Sequence, residues 1–154
     1  MNNYTFEKII EVKNLHSWHP LKDYLFYQNN FSHMLSLSNK AKYDFSRGGM
    51  NFDKLRFFEN TVFINDINRI PSHSIKDNDI SYDTEWRFLD RIKDFEVFPK
   101  NRLAVGFENK IVLVDETQCQ REVYRGEWQE MQTSYNFVFV QNVNKIIRKS
   151  MLED

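Results

Sequence analysis

The sequence predicts an α+β fold. It reads as a single compact domain over residues 1–154, with a mainly antiparallel β-sheet, C-terminal strands at its centre, and two or three helices packed on it. Three observations carry that expectation. Ile111-Val112-Leu113-Val114 and Phe137-Val138-Phe139-Val140 would place apolar side chains on both faces of a pleated strand, as covered central strands require. Residues 83–95 carry Trp86, Leu89, Ile92 and Lys93 at helical spacing, with Phe88 and Phe95 broadening the face. A chain of 154 residues, 41% hydrophobic and 16% aromatic, can build one core, while only 4 glycines and 3 prolines argue against a linker or a loop-rich disulfide scaffold.

Taken in order, residues 4–12 alternate imperfectly through Tyr4, Phe6, Ile9, Ile10 and Val12 and read as a strand. Pro20 suits the first turn of a helix, where its missing N–H would have been unpaired anyway. Leu21, Tyr24, Leu25, Phe31, Met34 and Leu35 follow a 3–4 spacing, broken by Gln28-Asn29-Asn30, beyond which the chain resumes as a strand. Residues 39–49 form a turn ending in Gly48-Gly49, and residues 52–65 form a hairpin about Glu59-Asn60. Residues 66–82, polar and containing Pro71, read as a long surface connection.

Asp83 or Thr84 caps the helix of residues 83–95. Glu108-Asn109 turns the chain between strands at 103–107 and 111–114. Residues 122–131 read as a strand bent at Gly126, and the tail from Asn144 as one or two helical turns.

Composition excludes several function classes. A net charge of -1, from 21 basic and 22 acidic residues, supplies no global attraction to nucleic acid or to an anionic membrane. Cys119 is solitary, and the polar start Met1-Asn2-Asn3-Tyr4 lacks a basic and apolar leader, so a cytoplasmic protein is expected. The longest apolar runs are far shorter than the roughly 20 residues of a membrane helix.

The motifs with chemical potential are each incomplete. His16 and His19 have the separation of a metal-binding pair, but further ligands would have to come from His33, His73, Cys119 or a carboxylate, so no metal and no cofactor is expected. Glu11-Val12-Lys13 and Glu108-Asn109-Lys110 carry the acid and lysine spacing of a nuclease strand. The first lies too near the amino terminus and the second on a turn, so both read as surface charges. Asp77, Asp79, Ser81, Asp83 and Glu85 alternate like the first ligands of an EF-hand loop, yet Tyr82 stands where glycine must turn the chain and Phe88 where a glutamate must close the shell.

Two functions follow as expectations. The first is a small protein-binding module that neutralises or regulates a macromolecular partner, in its concrete form an immunity protein or inhibitor. The acidic stretch Asp77, Asp79, Asp83 and Glu85 would face a basic partner, and aromatics would anchor the interface. The alternative is an enzyme acting on a phosphorylated or nucleic-acid substrate. Lys40, Lys42 and Arg47 would hold phosphate, with Glu85, Asp115 or Glu116 as base or metal ligand. No phosphate-loop pattern, GxSxG elbow or paired nucleophile supports it, and a single-strand nucleic-acid module would need a basic aromatic face.

Overall fold

A computed structural model of the chain describes residues 5–45, 55–76, 79–134 and 136–150. Among these residues the protein is all-β, with fifteen strands and no helix, which overturns the expected α+β class. The strands form four small antiparallel sheets. β1 (Ser17–Leu21), β2 (Tyr24–Gln28), β3 (Ser32–Ser36) and β4 (Lys42–Asp44) make the first, and β5 (Leu55–Phe58), β6 (Thr61–Ile64), β7 (Arg69–Lys76) and β8 (Asp79–Arg87) the second. The third holds β9 (Asp94–Phe98), β10 (Arg102–Gly106), β11 (Lys110–Val114) and β12 (Gln120–Arg125), and the last β13 (Glu130–Ser134), β14 (Phe137–Asn142) and β15 (Lys145–Ser150). In each sheet, neighbours in sequence are neighbours in space, the up-and-down meander from which a β-propeller blade is built. The chain divides into two compact units, Met1–Phe52 with the first sheet and Asp53–Asp154 with the other three.

Within Asp53–Asp154 the third sheet is apolar on both faces. One face joins Trp86, Phe88, Ile92, Phe95, Val112 and Val114 in a core with the second sheet, and the other joins Phe98, Ala104, Ile111, Met131 and Val138 in a core with the last. This double covering is why Ile111 to Val114 reads as an unbroken apolar run. β14 follows a different rule: Val138 and Val140 are buried, whereas Phe137 and Phe139 remain half-exposed on the opposite face. The two apolar strands therefore lie inside separate sheets and do not form the centre of one. The Trp128 ring lies where a side chain on Gly106 would have to stand, and its indole N–H donates to the Phe107 carbonyl at 2.6 Å. Glycine is needed there for this close approach.

The expected helices are strands or irregular chain. In residues 83–95, Trp86 and Phe88 are buried at a spacing of two, and Leu89, which the helical pattern would bury, is fully exposed at 101%. Trp86 lies in β8, while Phe88 and Ile92 enter the core from the irregular segment before β9. Pro20 lies inside β1, on the sheet edge, where a missing N–H is tolerated. Of residues 21–35, Leu21 ends β1 and the rest from Tyr24 belong to the β2–β3 hairpin, and the tail is β15, returned onto β14 by a two-residue turn in the register Asn142↔Lys145. Residues 5–12 form no strand.

The supposed surface connection of residues 66–82 holds β7 and the start of β8. Its polar character hides burial: Ser72 and His73 are inside, and the Ser72 hydroxyl donates to the Thr84 carbonyl at 3.1 Å. Pro71 lies just beyond the last residue pair with β6, so no ladder bond is lost to it on that side. The hairpins turning at Glu59-Asn60 and Glu108-Asn109 are present as expected. Gly126 falls between β12 and β13, so the expected bent strand is two strands. Gly48 and Gly49 lie outside the described residues.

Candidate binding groove

The first sheet places side chains in cross-strand rows. Trp18, Tyr27, His33 and Asp44 are directly opposite one another on successive strands, as are Pro20, Leu25, Leu35 and Lys42, and all eight share one face. The other face carries His19, Phe26, Met34 and Tyr43, of which Phe26 and Met34 are fully buried, with the Phe26 and Phe45 rings stacked at 6.3 Å.

Against the first face, residues 7–15 leave an open groove of about 500 Å³, lined chiefly by Ile9, Ile10, Val12, Leu15, Trp18, Pro20 and Leu25, with Glu7 and Lys8 as its charged residues. Its volume lies within the range typical of ligand pockets, roughly 300–1,000 Å³. Trp18 and Leu15 keep 59% and 48% of their surface in solvent, although each would gain by burial.

At the groove wall a polar row backs Tyr27. Its ring stacks on His33 at 5.0 Å, and His33 Nδ1 meets Asp44 Oδ1 at 2.5 Å. His33 Nε2 lies 3.1 Å from Asn29 Oδ1, an oxygen that also accepts the Phe31 N–H at 2.8 Å. Both ring nitrogens thus have a hydrogen-bond partner. Burial, and secondarily the Asp44 carboxylate, push the Tyr27 phenol above its ordinary 10.0. Such a phenol stays neutral and cannot serve as a base near neutral pH. This arrangement packs Tyr27, His33 and Asp44 side by side along the groove wall.

The residues singled out from sequence are dispersed. Asp77 and Arg47 lie outside the described residues, as does the side chain of Asp79, whose backbone begins β8. Asp83 sits at a bulge in β8 and accepts from the Ser74 hydroxyl. The Glu85 carboxylate is largely buried, bonded to Arg87 and Tyr82 and 3.7 Å from Arg69, which also holds Asp66 at 2.6 Å. Asp79, Asp83 and Glu85 therefore lie on a sheet-edge strand, and the charge of Glu85 is paired within the chain. Lys40 occupies the β3–β4 turn and Lys42 begins β4, both exposed in Met1–Phe52, whereas Glu85, Asp115 and Glu116 belong to Asp53–Asp154. Asp115 Oδ1 accepts from the Thr117 N–H at 2.9 Å, the Thr117 hydroxyl at 2.5 Å and the Cys119 N–H at 3.2 Å. The Thr117 hydroxyl chiefly holds the Asp115 carboxyl below its usual range, so this group organises its own loop. His19 lies in β1 and His16 just before it, and three residues of extended chain point their side chains to opposite faces. Among the described residues no cluster of three metal-ligating side chains exists, and Cys119 is free and exposed.

The groove is hidden in the sequence because Pro20 suits the first turn of a helix and the apolar residues from Leu21 onward follow a 3–4 spacing. Trp18 and Pro20 on one strand, with Leu25 and Tyr27 on the next, carry a period of two that points to this face.

No protein-family model matches the chain, and no curated protein matches it. Among solved structures it is similar to the crystal structure of the computationally designed Ika4 protein, with a TM-score of 0.65 and 11% identity over 96% of this chain and 99% of that one. A putative exported protein from Bacteroides fragilis superposes at a TM-score of 0.46 and 12% identity, over 94% of this chain and 52% of that one. The likeness to Ika4 supports the all-β fold. It carries no information about function.

Proposed function

We propose that the chain is a protein-binding module that receives an apolar segment of a partner protein in the groove of its first sheet. The observation that carries this reading is an open apolar groove of about 500 Å³ in which Trp18 remains 59% exposed. A large aromatic beside such a hollow is the type of residue that dominates binding energy at interfaces. The immunity-protein or inhibitor form is not part of this reading, because Glu85, expected to contact a basic partner, is held by Arg69 and Arg87 of its own chain. A cytoplasmic setting remains part of the proposal, supported by the lone, free Cys119.

The test is selection of peptides from a random displayed library on the full chain and, in parallel, on Trp18→Ala. The reading expects a family of apolar peptides enriched on the wild type, with affinity lowered at least about tenfold by the substitution. Failure to enrich any sequence, or enrichment indifferent to Trp18, would overturn it. The enzyme alternative is tested by thermal shift with nucleotides and divalent metals, since a ligand bound only by the folded state raises its melting temperature.

A further inference from the structure

We propose that β15 is a docking edge for an extended acidic segment of a partner protein, which completes the last sheet as its fourth strand. The inference rests on the binding-module reading of the chain but uses a surface of Asp53–Asp154 alone. Among the described residues the other three sheets have four strands and this one has three, ending at β15. The two-residue turn after Asn142 makes Asn142 and Lys145 a hydrogen-bonded pair. By alternation, the backbone N–H and C=O groups of Ile146 and Arg148 then point away from β14, toward the open edge.

The side chains of this edge specify the chemistry of its occupant. Lys145, Arg148 and Lys149 are exposed, and between them Ile146 and Ile147 keep 77% and 41% of their surface in solvent. Beside Ile146 lies a hollow of about 280 Å³, lined by Gln132, Phe139, Val140 and Gln141 and by the carboxylate-bearing Glu130. A strand laid opposite Lys145-Ile146-Ile147-Arg148-Lys149 is complementary when it reads carboxylate, apolar, apolar, carboxylate, carboxylate. A second copy of β15 would set cations against cations, which is how natural edges avoid pairing with themselves. Charge complementarity therefore favours an acidic strand over self-association.

The probe is a capped peptide of glutamate-valine-valine-glutamate-glutamate, with its reversed sequence for the other strand direction, titrated calorimetrically at low salt into the full chain. The expected result is saturable one-to-one binding of one of the two. Binding weakens about tenfold in K145E/K149E, and amide exchange slows at Ile146 and Arg148. Trp18→Ala leaves this binding unchanged, so the groove and the edge can fail independently. The same peptide N-methylated at every residue keeps its charge but cannot donate to a strand. Equal binding of that peptide, or no binding of either direction, overturns the proposal.

Discussion

Val143 adopts φ 54° at the first position of the β14–β15 turn, a conformation that costs a β-branched residue about 1 kcal/mol or more. Val143→Asn, which tolerates that region, is therefore expected to stabilise the chain by about 1 kcal/mol and to raise its melting temperature by a few degrees, read in a thermal scan. An unchanged or lower temperature would remove the strain argument. Tyr27 supplies a pH dependence. Its phenol is raised above 10.0 in the folded protein, chiefly by burial and then by Asp44, so the folded state holds that proton more tightly than the unfolded chain. The associated stability is complete below about pH 10 and is lost as pH rises through the folded value. Denaturant titrations between pH 9 and 11 should show Tyr27→Phe losing less stability than the wild type. These residues also explain why the turns were hard to read. Lys22, Ile67, Lys100, Gln118 and Val143 all take positive φ, and none belongs to the glycine, asparagine and aspartate set that marks such positions in a sequence.

At the scale of elements, β5 and β9 are joined by Arg56, which donates to Glu96 through Nε at 3.0 Å and through Nη2 at 3.1 Å, and to Asp94 at 3.3 Å. All three side chains are mostly buried. Arg56→Ala removes the guanidinium from two mostly buried carboxylates, of which Asp94 keeps the Phe95 N–H at 2.7 Å, and is expected to cost about 2–3 kcal/mol in chemical unfolding, somewhat below a fully buried network because some solvent reaches the arginine. A loss under about 0.5 kcal/mol would show that the second and third sheets do not depend on this link. Which elements were legible follows the same physics. The hairpins β5–β6 and β10–β11 pair strongly apolar strands across short polar turns, and period-two reasoning finds them. β7 was lost because Pro71, Ser72, His73 and Ser74 occupy its middle. The 83–95 stretch was lost because Trp86, Leu89 and Ile92 mimic a helical face, although Leu89 ends in solvent.

For the molecule as a whole, composition and length are compatible with either fold class, and the pairing of consecutive polar strands such as β7 and β8 separates them. The all-β result resolves the apolar run in β11, which is covered on both faces by neighbouring sheets within Asp53–Asp154. It also changes where function is sought. Asp79, Asp83 and Glu85 lie on the sheet-edge strand β8, and the groove arises only when β1 and β2 pair and place Trp18 opposite Tyr27. The most direct test of the binding account is an amide chemical-shift map of the ¹⁵N-labelled chain, titrated with a peptide selected on it. The account predicts that the perturbed amides cluster at Ile9, Val12, Leu15, Trp18 and Leu25, and that the map collapses in Trp18→Ala. Perturbations confined to other sheets, or a map unchanged by that substitution, would contradict it.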